Sequence, residues 1–164
     1  MNMKRRTFLL AGLIAAAGLA HNAGAQGITF EQTTLTITSA TGTHTFNVDV
    51  AANTSQADRG LRYRHDIPPD GGMLILQQAA APVPISVSTD GQALPVDLLF
   101  IAYDGTITEV HPRIPTDSST PIVSTSPVSA ALELPVDTTV RYGILAGDKV
   151  VGGGLGGSTW RPQY

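Results

Sequence analysis

The sequence predicts a mostly β fold, a compact barrel- or sandwich-like domain of short strands with one short helix. Short apolar runs recur along the chain, and residues 46–50 alternate apolar and polar side chains with the period of a half-buried strand. Residues that favour turns separate these runs. Prolines mark several of the joints and favour edges and loops there: Pro82, Pro84, Pro112, Pro115, Pro121 and Pro127.

Each strand is predicted from its own residues. Residues 98–101, Leu-Leu-Phe-Ile, are continuously apolar, which is typical of a strand covered on both faces. Asp104-Gly105 is a tight-turn sequence that leads into a predicted strand over residues 106–110. The other predicted strands are short apolar or β-branched runs, at residues 34–38, 73–76, 122–125, 131–134 and 140–144.

One helix is predicted, over residues 57–63. Ser55 is its candidate N-cap, and Asp58 follows three residues later in the manner of a capping box. The sequence Ile67-Pro68-Pro69 prevents the helix from continuing, because proline lacks the N–H group that a helix interior needs. The helix is therefore expected to make only one or two turns.

The N-terminus has the three parts of an export signal in the required order. The charged Lys4-Arg5-Arg6 precedes an uncharged run over residues 7–20, and Ala23-Gly24-Ala25 supplies the small-residue cleavage pattern. We expect residues 1–25 to be a removable signal peptide, because the apolar run is shorter than a membrane span. Arg5-Arg6-Thr7-Phe8-Leu9 has the twin-arginine form, although adjacent arginines also occur in general secretory signals. The expected localisation is periplasmic or secreted, in a bacterium, with no stable membrane span after cleavage.

Removal of the signal leaves residues 26–151 as one β-rich domain and residues 152–164 as a Gly-rich, flexible tail with Trp160 and Tyr164. The signal contains three of the 10 Lys and Arg residues, so seven remain against 13 Asp and Glu, a net charge of −6. Without a basic stripe, the domain is not expected to bind nucleic acid. The chain contains no cysteine, which excludes disulfides, thiolate metal sites and a cysteine nucleophile.

Five segments follow one another with an order and spacing typical of a single family. They are Arg59-Gly60-Leu61-Arg62-Tyr63-Arg64, Gly72-Met73-Leu74, Leu94-Pro95-Val96-Asp97-Leu98-Leu99-Phe100, Leu132-Glu133-Leu134-Pro135 and Gly147-Asp148. Over roughly residues 46–151, the chain thereby resembles the family called domain of unknown function 192. The resemblance implies a compact, mostly β domain found in bacteria and archaea, often behind a signal peptide, with no established activity.

The chain departs from the family pattern in two places. Ahead of the Pro-Val-Asp segment the family usually has an aromatic-rich Phe-Trp-Met-Lys-Asn-Thr run, whereas this chain has Val87-Ser88-Thr89-Asp90-Gly91-Gln92. The aromatic residue that commonly precedes the Leu-Glu-Leu segment is replaced by Ala130. If those family positions form a ligand surface, this chain lacks its stacking ring and its cation.

Three charged residues, Arg64, Asp97 and Glu133, fall inside or beside apolar strands, where charges are normally paired. On a structural interpretation, Arg64 and Asp97 form a buried ion pair that holds the end of the helix against the central strand. On a functional interpretation, Asp97 and Glu133 are an acid/base pair and Arg64 is an anion clamp. The sequence favours the structural interpretation, because ion-pair networks occur without catalysis.

No catalytic or metal-binding set is complete. The remaining histidines, His44, His65 and His111, do not share ligand spacing on one element, and His44 has the strand parity of Phe46. No serine lies in a Gly-x-Ser-x-Gly elbow, so neither a metal nor another cofactor is expected. The sequence therefore favours an exported, non-catalytic domain that binds a small molecule, a glycan or another envelope protein. The alternative is an envelope hydrolase that uses Asp97 and Glu133.

Overall fold

Nine strands and two short helices are seen in the computed structural model, which describes residues 27–79 and 83–155. The predicted signal peptide, Trp160 and Tyr164 lie outside the described residues. In chain order the elements are β1 (Glu31–Ser39), β2 (Gly42–Ala51), α1 (Thr54–Arg59), β3 (Met73–Leu76), β4 (Ser86–Val87), β5 (Val96–Ile101), β6 (Ile107–Ile114), β7 (Ile122–Val123), β8 (Ala130–Pro135), α2 (Thr138–Arg141) and β9 (Lys149–Val151).

The strands form one curled sheet of seven strands, in the order β6-β5-β8-β3-β2-β1-β9, and a small sheet of β4 and β7. The prediction of a mostly β fold is confirmed. Strands β2 and β3 run parallel, because α1 and the loop behind it connect them, whereas every other pair is antiparallel. Within the described residues, no helix has the length and apolar content required to cross a membrane.

Both faces of the large sheet are covered. Side chains alternate between the faces, so neighbouring residues of β5 enter different cores. Leu99 packs with Leu132 in a first core, while Leu98 and Phe100 pack with Ala131 in a second core. The second core is closed by α1, by the segment that follows it and by the small sheet. As predicted, the central strand β5 is buried along its whole length.

Most strand predictions are confirmed, including the exact bounds of β3, but the strand predicted over residues 140–144 is wrong. That region begins as α2, with Ile144 buried in the first core and Tyr142 packed against it. Tertiary hydrogen bonds at the start of α2 override the β preference of its threonine and valine residues. The short strands β4 and β9 were not predicted. Pro112 lies inside β6, an edge strand, which is where a sheet tolerates proline.

The N-cap of helix α1 lies two residues before the predicted one. Asn53, not Ser55, is the N-cap, and its side-chain oxygen accepts a hydrogen bond from the Gln56 N–H at 3.0 Å. The Gln56 side chain in turn accepts from the Ala52 N–H at 2.8 Å, so the reciprocal capping of the helix involves a glutamine rather than Asp58. The helix ends at Gly60, where φ is +46°, before the prolines are reached.

The first residues of the predicted flexible tail are part of the fold. Leu155 is 2% exposed in the first core and forms a β-bridge with Gly152. A Cβ atom at Gly152 would lie 2.4 Å from the Thr34 carbonyl oxygen, so glycine permits a close approach to β1 here. The prediction of a flexible tail is therefore wrong for residues 152–155.

Candidate functional site

The three charged residues singled out in the sequence do not lie together. In the strand register Leu134 faces Asp97, and Leu98 faces Glu133. Side chains of paired residues point to the same face, so Asp97 lies on the first-core face and Glu133 on the second. The two carboxylates are separated by the sheet and cannot act on one bond, which removes the acid/base pair of the hydrolase alternative.

Asp97 is fully buried and organises the backbone around α2. Its Oδ1 accepts hydrogen bonds from the N–H groups of Arg113 at 2.9 Å and Asp137 at 3.2 Å. Its Oδ2 accepts from the N–H group of Thr139 at 2.8 Å and from the same residue's hydroxyl at 2.7 Å. Arg113 and Asp137 have positive φ values, so the carboxylate holds two left-handed residues in place.

The predicted ion pair between Arg64 and Asp97 is wrong. Arg64 instead pairs with Asp49 on β2, and its guanidinium lies over the Phe30 ring, 5.7 Å from the centroid. Asp49 is buried and also accepts a hydrogen bond from the Gln32 side chain at 3.0 Å. Arg64 therefore ties the segment after α1 to the sheet, as the structural interpretation expected, but with a different carboxylate.

Glu133, like Asp97, is a buried carboxylate with no charged partner among the described residues, but it accepts far fewer hydrogen bonds than Asp97 does. It is 1% exposed, and its Oε1 accepts one hydrogen bond from the Gln92 Nε2 at 2.9 Å. Burial raises the pKa of Glu133 to about 7 from an ordinary 4.5, an effect that the Gln92 hydrogen bond partly opposes. The side chain is therefore poised to change its protonation state near neutral pH.

A cavity of about 140 Å³ ends at Glu133, and we refer to it as the Glu133 cavity. Helix α1 and the turn behind it form one wall through Asp58, Arg59 and Arg62, and the segment from Ser86 to Gln92 forms another. Asp58 is exposed, and the side chain of Arg62 is 36% exposed, so the cavity opens to solvent at α1. Glu133 lies at its inner end.

Two unsatisfied hydrogen-bond acceptors belong to this cavity. In the described part of the chain, three buried side-chain polar atoms lack a hydrogen-bond partner: Gln92 Oε1, Glu133 Oε2 and Thr138 Oγ1. A buried polar atom without a partner costs about 1 to 3 kcal/mol, so such atoms are rare in folded proteins. That two of the three line one cavity indicates a place where a hydrogen-bond donor from outside the chain fits.

Sequence reasoning identified Glu133 but missed the other residues of the cavity. Ser86, Ser88, Gln92, Arg59 and Arg62 carry no motif. The one sequence feature that could have identified these residues as a site is the departure from the family pattern at residues 87–92. The segment that stands in place of the aromatic run now lines the cavity through small and amide side chains.

The histidines take unrelated positions. His44 stacks on Tyr142 with ring centroids 4.2 Å apart, and Phe46 contacts the same ring, as expected from the strand parity that the two residues share. His111 contacts Glu109 at 3.2 Å, and His65 is exposed. Across residues 27–79 and 83–155, no three His, Asp or Glu side chains are grouped in a way that could hold a metal ion.

Two solved structures have a similar fold. A protein from Sinorhizobium meliloti, proposed to be a transcription regulator, is 36% identical with a TM-score of 0.73, and the match covers 78% of this chain and 98% of that one. A protein of unknown function from Novosphingobium aromaticivorans is 25% identical with a TM-score of 0.69, and the match covers 86% and 99% of the two chains. No curated protein matches at a significant level.

The family assignment covers most of the domain. Residues 35–152 match the family DUF192, which is described as "Uncharacterized ACR". This region contains β1 to β9 almost completely, together with every residue of the Glu133 cavity. The chain therefore belongs to the domain of unknown function 192 family, as its five segments suggested.

Proposed function

We propose that this chain is an exported, non-catalytic binding domain whose Glu133 cavity holds a small polar molecule or a polar group of a larger one. The observation that carries the proposal is the pair of unsatisfied acceptors, Glu133 Oε2 and Gln92 Oε1, in one cavity that opens to solvent. Export rests on the N-terminal sequence of residues 1–25.

The size of the cavity limits its occupant. An engineered apolar cavity of about 150 Å³ in another protein holds benzene, which has about six non-hydrogen atoms. The Glu133 cavity, at about 140 Å³, accommodates a molecule of similar size. A water molecule can satisfy the two acceptors in the free protein, and a ligand that donates hydrogen bonds replaces it at little cost.

Binding is favoured over catalysis because the cavity lacks a complete reactive set. Its two serines have no histidine or lysine among the lining residues to act as a base. Asp97, the second carboxylate of the hydrolase alternative, lies on the other face of the sheet. The net charge of −6 after signal removal also opposes nucleic-acid binding, so we do not extend to this chain the role of transcription regulator proposed for the Sinorhizobium protein.

A thermal-shift experiment on residues 26–164 tests the proposal. The probes are alanine, β-alanine, ethylamine, propionate, glycerol and urea. A compound present at 100 times its Kd stabilises the native state by about 2.7 kcal/mol, so at least one probe should raise the melting temperature by several degrees. Ser88→Trp, which places a large ring in the cavity, and Gln92→Leu, which removes one acceptor, should both abolish that rise.

Ser119→Trp is the matched control, because it adds the same ring at an exposed loop position. This variant should respond to the probes as the parent does. The proposal is wrong if no probe stabilises the parent, or if the stabilised parent and the two cavity variants respond equally.

A further inference from the structure

The mouth of the Glu133 cavity has the opposite hydrogen-bonding character to its inner end. The inner end presents two acceptor oxygens, from Glu133 and Gln92, that lack partners. The residues that line its outer part include Arg59 and Arg62, whose guanidinium groups have only donors. A single small molecule bound in the cavity therefore faces donors at the mouth and acceptors at the inner end.

The two arginines differ in how they are held. The Arg59 guanidinium lies over the Tyr63 ring, 5.5 Å from its centroid, and no carboxylate within residues 27–79 and 83–155 lies within 4.0 Å of it. The Arg62 Nε donates to the Asp90 carbonyl oxygen at 2.6 Å, and the Asp90 carboxylate is 4.0 Å away. Because a guanidinium carries five N–H donors, both arginines retain donors for an anionic group.

We infer that the Glu133 cavity selects a small zwitterion, with its cationic group on Glu133 and Gln92 and its anionic group at Arg59 and Arg62. The inference rests on the proposed function and specifies the class of ligand. A cation at the inner end supplies the charge partner that the buried carboxylate lacks among the residues that the structure describes. An anion at the mouth pairs with Arg59, which ring stacking already positions.

The charges around the cavity are consistent with this polarity. Asp58 is the other carboxylate among the lining residues, and it lies at the exposed mouth with Arg59 and Arg62. Asp90 lies 4.0 Å from Arg62 and, with Asp58, balances the charge of the two arginines at the mouth, so Arg59 is the lining arginine with no carboxylate within 4.0 Å among the described residues. A lone anion is repelled by the ionised Glu133, and a lone cation leaves the Arg59 guanidinium without an anionic partner, so a zwitterion satisfies both ends.

Protonation of Glu133 couples to this binding. Burial raises its pKa to about 7, and the ammonium group of a ligand favours the ionised carboxylate, so binding releases a proton below neutral pH. The affinity should fall as the pH drops below 7, approaching tenfold for each unit. The charged groups that line the same cavity are Asp58, Arg59 and Arg62, all near the mouth.

Isothermal titration calorimetry of residues 26–164 at pH 8 tests the inference with four probes. Alanine and β-alanine are zwitterions with about six non-hydrogen atoms, which is the number that the cavity admits. Ethylamine lacks the carboxylate of alanine, and propionate lacks its ammonium group. At least one of the zwitterions should bind about tenfold or more tightly than either single-charge probe.

Substitutions in the cavity test which residues recognise the anionic group of the ligand and which recognise its cationic group. Arg59→Gln combined with Arg62→Gln should reduce the preference for the zwitterion over ethylamine to less than about threefold. Glu133→Gln should likewise reduce the preference of the cavity for the zwitterion over propionate. Arg141→Gln removes an exposed guanidinium of α2, outside the cavity lining, and should leave both preferences unchanged.

The failure of this inference is distinct from failure of the proposed function. If ethylamine, propionate or glycerol binds as tightly as the zwitterions and Ser88→Trp abolishes that binding, the cavity is a binding site and the zwitterion inference is wrong. The inference is also wrong if the double arginine variant keeps the full preference over ethylamine. If none of these probes binds in a way that Ser88→Trp abolishes, the proposed function itself is wrong.

Discussion

Asp97→Asn is expected to lower the free energy of unfolding by about 3 kcal/mol. The carboxylate accepts four hydrogen bonds, from Arg113, Asp137 and Thr139, and each bond to a charged group contributes about 1.5 to 3 kcal/mol. An asparagine at this position must point its NH₂ group at one pair of donors. The Thr139 hydroxyl can reverse its bond, but at least one backbone N–H group then loses its acceptor in a buried site.

Chemical denaturation of the parent and the variant measures this loss, and a thermal melt should show a fall of about 10 °C. Asp137→Asn is the matched control, because it makes the same change in an exposed pair with Arg113 and should cost less than about 1 kcal/mol. If Asp97→Asn is as stable as the parent, the hydrogen bonds of Asp97 do not hold the fold and our structural assignment of this residue is contradicted.

Glu133→Gln is expected to change the dependence of stability on pH by about 3 kcal/mol. The pKa of Glu133 is raised from an ordinary 4.5 to about 7 in the folded protein, so the folded state binds a proton more tightly than the unfolded chain. The stability due to this proton is fully present below pH 4.5 and is lost as the pH rises through 7. Glutamine is neutral at every pH, so the variant does not lose this stability as the pH rises.

Stability measurements at pH 5 and pH 8, in the absence of ligand, provide the test. Relative to the parent, the glutamine variant should gain about 2 to 3 kcal/mol between the two pH values, because all other titratable groups are common to both proteins and cancel from the difference. Glu31→Gln, an exposed position on β1, is the control and should follow the parent at both pH values. Parallel pH profiles for the parent and Glu133→Gln would contradict the assignment of Glu133 as an unpaired buried carboxylate.

Local patterns in the sequence predicted most of the fold. The continuous apolar run of β5 and the alternation in β2 are properties of a few neighbouring residues, and both strands formed where expected. The region over residues 140–144 was misread because its conformation depends on a distant group. Asp97, 42 residues before Thr139, accepts the hydrogen bonds at the start of α2, and no window of neighbouring residues contains that contact.

The candidate site was predicted only in part, and the limit is the register of the sheet. Glu133 can be identified from the sequence alone, because it is a charged residue within an apolar strand. Whether Glu133 pairs with Asp97 or with Leu98 depends on the register between β5 and β8. A shift of one residue in that register moves a side chain to the opposite face of the sheet. The true partner of Arg64 was missed for a related reason, because the alternation in β2 made Asp49 look like a solvent-facing residue, and it is buried.

The family resemblance contributed what the local patterns did not. It was confirmed by the match over residues 35–152, and it drew attention to residues 87–92 as the place where this chain differs. That segment forms one wall of the Glu133 cavity. The specificity of this member is therefore expected to reside in the segment where it departs from its family.

A pH titration of the side-chain carboxyl carbon of Glu133 by ¹³C NMR, in the ligand-free domain, tests the central claim most directly. The claim is that this carboxylate has no charged partner in residues 27–79 and 83–155 and is left for a ligand. The account predicts a titration midpoint at a pKa of about 7. A midpoint near the ordinary glutamate value of 4.5 would show that the fold itself compensates the charge, and would contradict the account.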